Sequence, residues 1–464
     1  MKKASTGDTT IPPQFTRRRF LQVGGSASGA MFFCRWAFAE DPNAPEIIAD
    51  TISVNGISLR TSALPEFLAL DRDTGLVFAK PIIGQVIYRS PTHAWEVRGA
   101  ITPKGDFLVM SPIGGHYGPR EKVNYLAAFR SSDRGKTWDG PKDPMKITYS
   151  MHGFIPFIPK GSKRIYAFGT QAIPALQEGL ENTPIGFRFS DDDGYSWSDV
   201  HLIKPENDPN FKGMSVMRMC ETASGVWLLG SHETSYAGML APQQGGKLLS
   251  TRQYILRSAD QGKTWNVLPH PRPDGWYVPG KPTTDKWYIP TAGRMDEGRP
   301  ISIGGNKVLL LVRTPEGHLW ASWSDDAGKT WSAAKPTSLI HPDAPPMLFH
   351  MPDGKTLACF HHNSYSDWNK DRSELWVSFS SDGGHHWTEP RFVLANALTP
   401  NIGDGFYDWA CSYLDAFCDG DTMHLFFAHR WRVVTHLTVK AADLHKMPTK
   451  SALENAASRS SNGI

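Results

Sequence analysis

An eight-residue pattern occurs five times in this chain of 464 residues, and such repetition commits a chain to stacking copies of one supersecondary unit. The first copy is Ser131-Ser132-Asp133-Arg134-Gly135-Lys136-Thr137-Trp138. It returns as Ser190 to Trp197, Ser258 to Trp265, Ser324 to Trp331 and Ser380 to Trp387, with Ser, Asp, Gly and Trp at the same offsets. Each copy follows a β-rich run such as Tyr125 to Arg130 or Leu375 to Ser380. The Asp accepts hydrogen bonds from N–H groups of its own turn, and the Gly supplies the positive φ. The Trp covers the hairpin and fills the gap to the neighbouring sheet. The copies start 59, 68, 66 and 56 residues apart, which suits a four-stranded sheet with long loops. Residues 70–447 have room for six such units, and Ser90 to Trp95 reads as a remnant of the pattern in the one that lacks it. No long amphipathic helix interrupts the period-two strands. The expectation is an all-β ring whose chain ends meet in one sheet, a closure that removes free edges.

The pattern resembles the Asp box, or BNR repeat, of sialidases and several other propeller families. The resemblance implies a six-bladed β-propeller of the sialidase type with five Asp boxes. In those families the box lies at the blade periphery, so its aspartates are expected to be structural.

The N-terminus reads as an address. Thr16-Arg17-Arg18-Arg19-Phe20-Leu21 resembles the twin-arginine export signal. A weakly hydrophobic stretch from Val23 to Phe33 and a small-x-small site at Ala37-Phe38-Ala39 follow it. Residues 1–39 are expected to be a leader handed to the twin-arginine machinery, 40–69 an extension with the first strands, 70–447 the propeller and 448–464 a loose tail. The expected location is periplasmic or secreted, and no later apolar run reaches the roughly 18 residues of a membrane span. The formal charge of +3 falls to −2 (43 basic minus 45 acidic) once the six basic residues and one acidic residue before Glu40 are removed. Nucleic acid is therefore not an expected partner, because phosphate binding needs a clustered basic surface. The 16 Trp, 42 Gly and 35 Pro favour turn-rich β repeats and carbohydrate as partner. Cys220, Cys359, Cys411 and Cys418 show no C-x-x-C spacing and specify no pairing. Neither a metal nor a cofactor is expected.

The sialidase resemblance implies three arginines that grip a substrate carboxylate, a tyrosine nucleophile paired with a glutamate, and an aspartate as general acid/base. Guanidinium forks match carboxylates bidentately. A tyrosine avoids setting a carboxylate nucleophile beside an anionic sugar, and sialidases are an exception to the two-carboxylate rule. Asp296-Glu297-Gly298-Arg299-Pro300 followed by Val308 to Thr314 resembles the family stretch with the glutamate and one clamp arginine, which makes these Glu297 and Arg313 on adjacent strands. Arg372 fits the next clamp arginine, and Arg98, on the opening strand of the first full blade, fits the remaining one. The tyrosine should precede the Asp419-Gly420 turn, where Tyr407 and Tyr413 flank Cys411. Tyr407 is preferred, because a loop residue reaches the mouth more easily than one locked in a strand.

Two departures are plain: Cys411 occupies the place where the tyrosine is expected, and the acid/base aspartate is missing. The stretch from Ser111 to Phe129, where the acid/base aspartate should lie, contains none and offers His116, Tyr117, Arg120 and Glu121 instead. His116 and His152 lie where the first two blades should face the mouth, and a His or Tyr base could act beside a uronate carboxylate. The leading expectation is an exported exo-glycosidase acting on a terminal acidic sugar, of sialic-acid or related keto-acid type. The alternatives are a uronate-directed lyase or unusual glycosidase with a His or Tyr base, and a non-catalytic carbohydrate-binding propeller. Trp276, Tyr277, Trp287, Trp368 and Trp409 could stack on sugar faces.

Overall fold

In the computed structural model, residues 47–461 are described except 115–124, 148–152, 171–181, 238–246, 280–287, 366–371 and 400–410. Six antiparallel sheets follow one another along the chain. The first is Arg98–Ile101, Phe107–Ile113, Tyr125–Ser131 and Asp139–Lys142; the second is Ile155–Phe157, Ile165–Thr170, Ile185–Ser190 and His201–Leu202. The third is Ser215–Glu221, Trp227–Ala237, Lys247–Ser258 and Asn266–Leu268, with Tyr288–Arg294 added parallel to its third strand. The fourth is Asp296–Ser302, Val308–Arg313, His318–Ser324 and Lys335–Ile340. The fifth is Met347–His350, Leu357–His361, Glu374–Ser380 and Arg391–Asn396, extended outward by Leu76–Ala79 and Leu68–Asp71. Each sheet's first strand meets the first strands of its two neighbours, so six first strands form the inner ring of a six-bladed β-propeller. Second strands such as Val308–Arg313 are buried at every residue, because both faces lie against neighbouring blades.

The sixth blade closes the ring. Asp415–Asp419, Thr422–His429 and Val433–Lys440 come from the C-terminal part, and Ile83–Arg89 from the N-terminal part, with Val433 opposite Arg89. The chain ends meet in one sheet, as expected, and this explains the blade without a box. In the other five blades the box is the turn from third to fourth strand, and here those strands are not consecutive in the chain. Ser90 to Trp95 is therefore not a remnant of that turn. It follows the fourth strand, at the opposite end of the blade, and Trp95 packs on Trp431.

The five boxes share one hydrogen-bond network. In the first, Gly135 N–H donates to Ser131 Oγ at 2.7 Å and Thr137 N–H to Asp133 Oδ1 at 2.9 Å. In the fourth, Gly328 N–H donates to Ser324 Oγ at 2.8 Å and Thr330 N–H to Asp326 Oδ1 at 2.9 Å. Burial pushes the Asp326 carboxyl upward, but the bonds from Thr330 and Ser324 prevail and hold it at about 2. Box tryptophans reach the preceding blade: Trp138 stands edge-on to Phe426, Trp265 to Phe168 and Trp331 to Trp276.

The expectation of a loose tail over 448–464 is corrected. Lys450–Ser461 is a helix whose Leu453 is fully buried in the same apolar cluster as Ile52, Val54, Ile57 and Leu59 of the hairpin Thr51–Val54 and Ile57–Arg60. Its small polar composition hid an apolar anchor of Leu453 with Ala456 and Ala457, and tertiary packing overrode weak local signals.

Candidate active site

The boxes occupy one end of the ring. At the other end first strands begin and second strands finish, and the expected site residues gather there. Arg98 begins the first blade's inner strand; Glu297 lies near the start of the fourth blade's inner strand, and Arg313 ends the next strand of that blade. Arg372 stands just before the fifth blade's third strand, and Tyr413 just before the sixth blade's inner strand. The topology thus collects five residues from four blades.

Tyr413 is the centre of this group. Its hydroxyl donates to Glu297 Oε1 at 2.5 Å. Arg313 Nη1 donates to Glu297 Oε2 at 2.5 Å and lies 3.5 Å from the Tyr413 hydroxyl. Arg98 Nη1 reaches the Tyr413 carbonyl at 3.5 Å, and the Arg372 guanidinium is 5.9 Å from the Tyr413 ring centre. All five side chains are buried. Burial first, and the Glu297 charge second, push the Tyr413 phenol well above its ordinary range. Burial lowers Arg372, assisted by Arg313, whereas for Arg313 burial is outweighed by the attraction of Glu297 and Asp296, so its guanidinium is raised. Arg98 also pairs with Glu96 at 2.6 Å. The Nε–H groups of Arg98 and Arg372 have no acceptor among the described residues.

Both members of the Tyr413–Glu297 pair have left-handed backbone, φ 57° and 50°, a conformation that costs non-glycine residues energy and marks functional positions. For Glu297 the cause is visible. The pairing of Asp296–Ser302 with Val308–Arg313 slips between Asp296 and Arg299, a bulge that takes Glu297 and Gly298 out of the ladder. Two buried side chains of the third blade accept the N–H groups so released. His232 Nδ1 takes that of Glu297 at 3.3 Å, and Gln253 Oε1 that of Gly298 at 2.7 Å.

A further carboxylate completes the group. Asp343 lies in the link between the fourth and fifth blades and is buried. Arg313 Nε donates to its Oδ1 at 2.6 Å, Arg294 pairs with its other oxygen, and Arg372 donates to its main-chain carbonyl. Sequence reasoning missed Asp343, Arg294, Glu96, His232 and Gln253. Asp343, Arg294, His232 and Gln253 stand in no motif and are brought in by the juxtaposition of blades, whereas Glu96 lies two residues before Arg98 and pairs with it locally.

Glu297, Arg313, Arg372 and Arg98 thus all lie around Tyr413. Tyr407 and His116, with His152, lie outside the described residues. The argument that favoured Tyr407 over Tyr413 does not hold: Tyr413 is not locked in a strand, and its left-handed turn brings its hydroxyl to Glu297. Among the described residues, no cluster of His, Cys, Asp and Glu is arranged to hold a metal ion, and no helix is long and apolar enough to cross a membrane.

Comparison with known proteins agrees with this architecture. Residues 297–425 match the BNR repeat-like domain. No curated protein matches the chain. Among solved structures, a Hadza microbial sialidase is similar with a TM-score of 0.54 at 14% identity, over 79% of this chain and 69% of the other. The NanB sialidase of Streptococcus pneumoniae gives 0.52 at 12% identity, over 79% and 71%. An α-L-arabinofuranosidase of Fusarium graminearum gives 0.50 at 13% identity, over 78% and 98%. The chain therefore matches the BNR repeat-like domain over residues 297–425 and has the six-bladed β-propeller fold seen in these sialidases.

Proposed function

We propose that the protein is a glycoside hydrolase acting on a terminal acidic sugar, with Tyr413 as nucleophile and Glu297 as its base. The observation that carries this reading is the 2.5 Å hydrogen bond between them, with three arginines around the tyrosine. A phenol raised this far is a poor nucleophile until it loses its proton, and Glu297 is in place to take it as the C–O bond forms. Arg313, 3.5 Å from the hydroxyl, stabilises the developing phenolate. The glycosidic C–O bond breaks as this bond forms, and the aglycone departs with a proton from water; a second water then adds its hydroxyl to the anomeric carbon, releases its proton to solvent, and Glu297 gives its proton back to the Tyr413 oxygen. Arg98, Arg313 and Arg372 serve as the carboxylate grip.

The test is release of free sugar from fluorogenic acidic glycosides, sialosides and Kdo glycosides among them. Turnover that falls about ten- to a hundredfold in Arg372→Ala, with poor rescue by Arg372→Lys, supports the reading. Binding of acidic sugars without turnover of any of them overturns the enzymatic part, and no binding overturns the substrate class. The same reading has residues 1–39 removed on export. A mature N-terminus at Glu40 in the periplasmic or secreted fraction supports it, and an intact leader on the active protein overturns it.

A further inference from the structure

We infer that the Asp343 carboxylate sits where a substrate carboxylate would bind Arg313, so that an acidic ligand must displace it. This rests on the acidic-sugar reading of the site. The argument begins with the shape of a guanidinium, which offers two edges for a bidentate carboxylate: Nε with Nη2, and Nη1 with Nη2. Arg313 commits Nε to Asp343 at 2.6 Å and Nη1 to Glu297 at 2.5 Å. The Nε edge is thereby taken, and one of the two N–H groups on Nη1 is spent on Glu297. Glu297 holds the Tyr413 hydroxyl and has to stay. Asp343 makes no contact with Tyr413 of that kind, and it is the carboxylate that can leave.

Charge leads to the same conclusion. The contacting cations are Arg98, Arg294, Arg313 and Arg372, and the contacting anions are Glu96, Asp296, Glu297 and Asp343. Among the described ion pairs, these four formal positive and four formal negative charges balance. A ligand carboxylate added to this buried group would be an uncompensated anion, which is costly in a site of low polarity. Swinging Asp343 away restores the balance at the moment the ligand arrives. It also opens the Nε edge of Arg313 beside Arg372, whose own Nε–H has no acceptor among the described residues. Asp343 is thus a resident competitor that sets the affinity of the site for acidic sugars.

The experiment uses the mature chain and its Asp343→Ala and Asp343→Asn variants. Calorimetry measures binding of free N-acetylneuraminic acid, and thermal melts are recorded with and without acetate. Both variants should bind the sugar acid at least about tenfold more tightly than the wild type, since a charged hydrogen-bonding competitor has been removed. Acetate should raise the Tm of Asp343→Ala, by taking the emptied seat, and leave the wild-type Tm unchanged. Equal or weaker binding in both variants, together with no acetate effect, overturns the proposal and makes Asp343 a fixed counterion. Should Asp343→Ala fail to fold, Asp343→Asn keeps the shape of the side chain and decides by affinity alone. If no form binds any acidic sugar while acetate still stabilises Asp343→Ala, the carboxylate seat stands and the acidic-sugar reading falls.

Discussion

Glu297 donates its backbone N–H to Nδ1 of His232, a side chain of the preceding blade, across 3.3 Å. That acceptor requires a neutral ring with its proton on Nε2. Ser215 Oγ is 3.1 Å from the same nitrogen. His232 thereby supports the left-handed turn that aims Glu297 at Tyr413. His232→Ala is expected to lower kcat about tenfold, the effect of leaving one buried N–H without a partner, with KM nearly unchanged. His232→Asn presents an amide oxygen in the same place and should recover part of the loss. A KM rise with kcat intact would show that His232 does not position the base.

Tyr413→Phe removes only the hydroxyl that meets Glu297, and should fold with turnover reduced at least about a hundredfold. Glu297→Gln should behave alike in kcat, while binding of an acidic sugar survives. Steady-state kinetics with circular dichroism to confirm folding will tell. Full activity in Tyr413→Phe would move the nucleophile elsewhere.

Acid should destabilise the fold before the carboxylates titrate. Burial lowers His361 to about 4 and His362 and His429 to about 3, against an ordinary imidazole value of 6.5. The unfolded chain then binds more protons than the native one, so stability rises with pH across this window. It is fully present above pH 6.5 and declines as pH falls from there toward 3. Chemical melts at pH 7.5, 5.5 and 4.5 should show the midpoint dropping at each step. A flat profile down to pH 4.5 would contradict neutral, buried imidazoles.

The boxes should matter for folding and not for chemistry. Asp326→Ala loses bonds to Thr330 N–H, Thr330 Oγ1 and Ser324 Oγ, at a cost of about 1–3 kcal/mol. Trp331→Ala loses a partly buried ring packed on Trp276, at about 2–4 kcal/mol. Both should keep wild-type kcat in whatever folds, because the boxes lie at the end of the ring opposite Tyr413. Lost activity with full stability would assign them to the site.

The ring was readable in the sequence because a box turn is a local object: Ser, Asp, Gly and Trp make their bonds within eight residues of one another. Arg313 and Glu297 were readable for a related reason, since one hairpin carries both. What escaped was made by distance. Asp343 enters the arginine group from a link between blades, and His232 and Gln253 reach Glu297 from another blade; no spacing along the chain encodes either approach. Tyr413 was visible but ranked below Tyr407, because its left-handed φ of 57° has no local signal in the sequence. The helix at Lys450–Ser461 escaped because Leu453, with the small Ala456 and Ala457, secures it.

The pairing of Ile83–Arg89 with Val433–Lys440 gives the ring a seam. Arg89 and Val433 are 344 positions apart (433 minus 89), so this is among the last contacts a folding chain can make. Until it forms, Val433–Lys440 presents an unpaired edge to any passing strand. A chain cut short of Ile83 or of Val433 would not be a smaller propeller but an open crescent, prone to join its exposed edge to that of another copy.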